Sequence, residues 1–162
     1  RSSFFRGDVD KYGWVDIGSS FLPSDILAAY LFGQLEYSEK IQKKRKEIWN
    51  IYYKNLEELQ ISNLLLPDVP DYATQNGHLF YIVTKNLNER DLLIRHLRSN
   101  GIHAVFHYQS LHKSTFFQNK FNGDELINAE KFSNCLIRLP LYYDLDYDHI
   151  DYITDSIKKY FV

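Results

Sequence analysis

Apolar positions change their spacing several times along the chain, and each change marks an element. After the glycine-punctuated stretch of residues 1–23, Pro23 announces a helix, with Ser24 as N-cap and Asp25 at the positive end of the helix dipole. A breaker-poor run then continues to about Leu59, interrupted only by Gly33, and predicts one long helix over residues 24–59 that can kink. Its first part, Ile26 to Leu35, is apolar on nearly every side, so burial against another domain or another subunit is expected. Its middle, Glu39 to Glu47, alternates charge sign as a solvated face does, and Ile41, Ile48, Ile51, Tyr52 and Leu56 resume a core-facing stripe.

Pro67 and Pro70 introduce a loop, after which Leu79 to Val83 reads as a buried strand. Glu89 to Asn100 reads as an amphipathic helix with Asn88 as cap, Leu92, Leu93 and Leu97 on its apolar side, and Asn100-Gly101 as its stop. Ile102 to His107 is the next expected strand, Tyr108 to Asp124 a loop with short helical pieces, and Ala129 to Asn134 a short helix. Cys135 to Leu139 forms a third strand closed by Pro140. Tyr147 to Phe161 forms a terminal helix with Ile150, Ile153, Ile157, Tyr160 and Phe161 inward. Strands alternating with helices imply an α/β architecture of the α+β kind, a small sheet with helices packed over one face. Residues 24–162 are expected to form one small domain, with residues 1–23 as a linker or turn segment.

Composition narrows the class without naming a ligand. The chain's 44% hydrophobic and 25% charged residues place it among globular sequences. A net charge of -2 gives no electrostatic reason to expect nucleic acid. No apolar stretch reaches the ~18 to 20 residues that cross a bilayer, and no signal peptide is legible, so a cytoplasmic location is expected. The single Cys135 has no internal disulfide partner and is expected to be a buried, inert thiol. The chain starts at Arg1 and contains no methionine, so the numbering is expected to begin inside a longer gene product.

Among candidate chemical groups, His103, His107 and His112 form the densest histidine cluster. Residues 103, 105 and 107 share one face of a strand, which separates His103 from His107 by about 13 Å, too far to chelate one ion. No metal site is expected. The cluster His107-Tyr108-Gln109-Ser110-Leu111-His112 follows a strand and reads either as a ligand-facing loop or as side chains that satisfy loop backbone groups. No glycine-rich phosphate loop, nucleophile elbow or paired zinc motif occurs.

One resemblance adds to these readings. The stretch from Phe4 to Asp25, with Arg6-Gly7-Asp8-Val9-Asp10 and Gly13-Trp14-Val15-Asp16-Ile17-Gly18-Ser19-Ser20-Phe21-Leu22-Pro23, resembles the DegT and StrS group of sugar-nucleotide aminotransferases. So do Ala28-Ala29-Tyr30-Leu31, Gln75-Asn76-Gly77-His78, Ala104-Val105-Phe106-His107-Tyr108 with Leu111-His112, and Arg138-Leu139-Pro140-Leu141. The likeness is nearest to members that make dTDP-4-amino-4,6-dideoxygalactose for surface polysaccharide such as enterobacterial common antigen. It implies the C-terminal domain of a type I pyridoxal-phosphate-dependent aminotransferase, led by a long interdomain helix. It also implies amino transfer, from glutamate, onto C4 of a dTDP-4-keto-6-deoxyhexose by a homodimer.

The family's catalytic lysine matches no lysine here, so this chain alone is expected to be inactive. Ser20 matches the turn that reaches a neighbouring subunit's cofactor phosphate, where the family often has Asn. His78, His107, Tyr108 and His112 match positions near the substrate mouth and are expected to bind sugar nucleotide. Two rivals stand beside this reading: a non-catalytic binding or interaction domain, and a histidine-bound metal hydrolase.

Overall fold

The computed structural model describes residues 23–57 and 64–161. The expected linker up to Leu22, Ser20 within it, and the end of the expected long helix at Leu59 lie outside the described residues.

The leading apolar run folds as α1 (Asp25–Leu35), with Ser24 Oγ accepting from the Leu27 N–H at 3.4 Å as the cap requires. The structure then differs from the single helix expected. The chain turns at Glu36 and Tyr37 before α2 (Ser38–Glu57), because the Tyr37 N–H bonds back to Gln34 O, a tightened last turn rather than a continued α-helical ladder. The break falls after Gly33, not at it.

Within this chain α1 buries nothing: Ile26, Leu27, Tyr30, Leu31, Phe32 and Leu35 are each 55% to 82% exposed. The burial on all sides expected from its pattern is thus not supplied by the described residues. α2 behaves as its pattern requires and buries Ile48, Trp49, Tyr52 and Leu56.

Three strands follow, β1 (Phe80–Val83), β2 (Val105–Phe106) and β3 (Leu136–Leu139), in the antiparallel order β1-β3-β2. Between them run α3 (Leu87–Ser99) and α4 (Ile127–Cys135), and α5 (Tyr147–Phe161) closes the chain over the residues expected for it. β1 and β2 are both shorter than expected. Phe80 pairs with Leu139, so the next position on the β1 side of β3 is Pro140, which has no N–H to donate, whereas on the β2 side the pairing already stops at Val105 and Arg138. Leu79 is left outside the ladder, and Ile102 to Ala104 bury apolar groups without joining it, the Ala104 N–H turning back to Ile102 O.

α3 starts two residues earlier than expected. Asn86, not Asn88, is the cap: its side chain accepts from the Glu89 N–H at 2.9 Å while Glu89 accepts from the Lys85 N–H at 3.0 Å. Its end is as expected. Gly101 takes φ +74°, and the Ile102 and Gly101 N–H groups bond to Leu97 and Arg98 O, the Schellman arrangement. Leu93 and Leu97 are buried; Leu92, expected with them, is exposed.

One face of the sheet supplies Phe80, Ile82, Ile137 and Leu139 to the main core, joined by Ile48, Trp49, Tyr52 and Leu56 of α2, Leu93 and Leu97 of α3, and Ile150, Ile153 and Ile157 of α5. Tyr52 stacks on Phe80 at 5.1 Å, and its hydroxyl donates to Pro140 O at 2.9 Å, so its polar tip is satisfied at the core's edge. By strand alternation the opposite face carries Tyr81, Val83, Leu136, Arg138 and Val105. Val83, Leu136 and Cys135 form a small separate cluster there, with Tyr81 against it.

Candidate functional site

The turn ahead of β1 is built onto α2. Arg45 of α2 donates through Nε to Gly77 O at 3.1 Å and through Nη2 to His78 O. Gly77 sits at φ +62°, and a Cβ there would lie 2.9 Å from the Arg45 carbonyl carbon. Only glycine meets both conditions without strain. Asn76 Oδ1 accepts from the His78 N–H at 3.1 Å and lies 2.9 Å from His78 Nδ1, so backbone and ring are both oriented by one neighbour.

Arg138 stands mid-strand in β3, flanked across the register by Tyr81 on one side and Val105 on the other. With His78, His103 and Pro140 it lines an open groove of about 260 Å³. His107 follows β2, and its ring lies 4.9 Å from that of Tyr108, edge to face. Burial first, then the nearby charges of Arg138 and His78, hold the His107 imidazole below its ordinary pKa, so the neutral ring is favoured. Among the described residues, three buried side-chain atoms have no hydrogen-bond partner: Gln75 Oε1, His107 Nδ1 and Arg138 Nε.

Of the expected substrate-binding residues, His78 and His107 are thus electrostatic neighbours around Arg138, and Tyr108 packs on His107. His112 is placed elsewhere. It sits within a 3₁₀ turn (Leu111–Lys113), where Nε2 meets Glu130 Oε1 of α4 at 3.1 Å and the ring packs against Phe121 at 5.3 Å. Lys113 bonds the other Glu130 oxygen, and these hydrogen bonds, Lys113 first and His112 second, hold the Glu130 carboxyl below its usual range. No group of three metal-binding side chains comes together among the described residues. Nor is any described helix long and apolar enough to cross a membrane.

Arg138 was legible in sequence only as part of a resembling block. A stronger signal was available: it is the one charge in the run Leu136-Ile137-Arg138-Leu139, and alternation sends it away from the core.

Residues 3–158 match the model of the DegT/DnrJ/EryC1/StrS aminotransferase family. The chain belongs to this family. Among its relatives, the UDP-4-amino-4,6-dideoxy-N-acetyl-beta-L-altrosamine transaminase of Helicobacter pylori is 26% identical over 99% of this chain, which spans 42% of that protein. The solved Helicobacter pylori aminotransferase involved in the biosynthesis of pseudoaminic acid superposes with a TM-score of 0.74 at 25% identity, over 90% of this chain and 39% of that one. A sugar-aminotransferase structure from Streptococcus pneumoniae in its PLP form gives 0.69 at 26% identity, over 85% and 36%. The fold described above, helices over a small antiparallel sheet, is therefore one shared with PLP aminotransferases, and family members carry PLP or its amino form, as the PLP- and PMP-form structures record.

The described residues of this aminotransferase chain do not by themselves make a cradle for that coenzyme. Among the described residues no lysine lines the groove beside Arg138, so these residues offer its aldehyde no amine, and the expected phosphate contact, Ser20, lies outside them. What they do offer is a guanidinium and imidazoles, groups that recognise anionic and hydroxylated substrates.

Proposed function

We propose that this chain is the C-terminal, substrate-covering part of a PLP-dependent aminotransferase. The enzyme would move an amino group from glutamate to C4 of a dTDP-4-keto-6-deoxyhexose, acting as a cytoplasmic homodimer in surface-polysaccharide synthesis. Membership of the sugar-aminotransferase family over residues 3–158 is the observation that carries this reading. The cationic sheet face gives it a chemical rationale. PLP would supply the storage of electrons and of the amino group, held by residues other than those described here. Arg138, His78, His107 and Tyr108 would orient the substrate, and α1, apolar all round, would be covered by the cofactor domain or the partner subunit.

A second reading changes only the nucleotide. The Helicobacter pylori relative is named for a UDP-linked sugar, which favours a UDP carrier over the dTDP carrier that the residues 4–25 block resembles. The test is amino transfer by the full-length protein with PLP and glutamate, offered dTDP- and UDP-linked 4-keto-6-deoxyhexoses in parallel. Formation of 2-oxoglutarate with the dTDP sugar supports the first reading, and turnover of the UDP sugar alone supports the second. No turnover of either leaves the non-catalytic binding domain as the better account.

A further inference from the structure

We propose that Arg138 is the seat for a paired anionic oxygen group of the substrate, a carboxylate or a phosphate, on the face of the sheet turned away from the core. The proposal rests on the functional reading above and adds to it a residue that the family resemblance does not assign.

A mid-strand arginine is placed by the ladder and not by its own flexibility. Arg138 is registered between Tyr81 and Val105, so its guanidinium must leave the sheet on the face opposite Ile137 and Leu139. The other arginines of the described core have partners: Arg45 holds the Gly77 and His78 carbonyls, and Arg90 pairs with Asp91 and donates to Ser133 O. The Arg138 side chain has no hydrogen bond or ion pair among the described residues, and its Nε is buried without an acceptor.

A half-buried guanidinium next to imidazoles, with no counter-charge, is costly, and the cost is removed by an acceptor from outside. Among the described residues no acidic side chain lines its groove, and the charges that act on His107 are those of Arg138 and His78. The geometry of a guanidinium fork matches two oxygens on one carbon or phosphorus, which a lone imidazole cannot do. At about 260 Å³ the groove falls below the ~300 Å³ at which pockets hold whole drug-sized ligands, so it suits the charged end of a larger molecule.

Two sources share that chemistry, the carboxylates of the amino donor and the diphosphate of the sugar nucleotide, and kinetics separates them. In the coenzyme-loaded full-length protein, Arg138→Gln should raise one KM about tenfold or more while kcat stays within about threefold, the pattern of lost binding. A rise confined to glutamate assigns the carboxylate, and one confined to the sugar nucleotide assigns the phosphate. Arg138→Lys, which keeps the charge and loses the fork, should recover part of the loss and provides the folded variant should Arg138→Gln not fold. Both KM values within about twofold of wild type, in a variant with an unchanged melting temperature, would overturn the proposal.

If the wild-type protein transaminates nothing, the functional reading fails separately. Calorimetry of the same protein with glutarate and with pyrophosphate then decides: binding of either that weakens about tenfold in Arg138→Gln upholds the seat, and binding of neither to wild type removes it.

Discussion

Gly77 holds φ +62° with its α-carbon pressed against the backbone of Arg45 and Lys46, so an added methyl meets main chain and not a side-chain tip that can swing away. Gly77→Ala is expected to cost about 1–3 kcal/mol from the backbone conformation alone, with the clash in addition. A urea midpoint equal to wild type would mean that the turn is not held to α2 as described. His107 carries a pH dependence near its own titration range. Its folded pKa is depressed, so its contribution to stability is complete above the unfolded imidazole value of about 6.5 and is lost as pH falls below it. Denaturant titrations across that range should show a falling acid limb that His107→Asn makes shallower; identical limbs would remove His107 as its source. At this scale the candidate site was only partly readable in advance. His78 and His107 stand near one another through a β-sheet that their spacing does not reveal. His112 pairs with Glu130, 18 residues away on another element, a contact that no local pattern announces.

Elements were legible where a local rule acts alone. α5 spans its expected residues because Ile150, Ile153 and Ile157 recur at helical spacing with no competing signal, and the end of α3 follows from Asn100-Gly101. Its start was displaced because two asparagines competed, although Asn86 followed three residues later by Glu89 is the capping-box signature. Asn86→Ala should therefore lower stability by about 1 kcal/mol, whereas Asn88→Ala should stay within about 0.5 kcal/mol. Thermal melts that rank the two the other way would return the cap to Asn88. Strand lengths were not legible, since Pro140 limits β1 through a pairing register, and the Ala104 N–H turns back to Ile102 O ahead of β2, both of which only the folded sheet defines.

For the whole molecule, the main asymmetry is α1. Six large apolar side chains on one helix are left more than half exposed, the kind of surface that marks an interaction site when contiguous, and the sequence pattern had pointed to burial without saying against what. In the full-length protein, Leu31→Glu combined with Phe32→Glu is expected to shift sedimentation from the proposed dimer towards monomer or to lower the melting temperature by several degrees. Values matching wild type for both would show that α1 covers nothing. The groove without a lysine leads to a second expectation. The 162-residue chain mixed with PLP should yield no borohydride-reducible adduct at any groove residue, and a stoichiometric one mapped there would overturn the division of labour proposed above.

Cys135 is the chain's one cysteine, packed at the junction where α4 passes directly into β3, and burial pushes its thiol pKa up. It is therefore a native chronometer. A thiol reagent can reach it only when the α4–β3 seam parts from Val83, so its labelling rate under native conditions times the opening of the strand that carries Arg138, with no engineered probe.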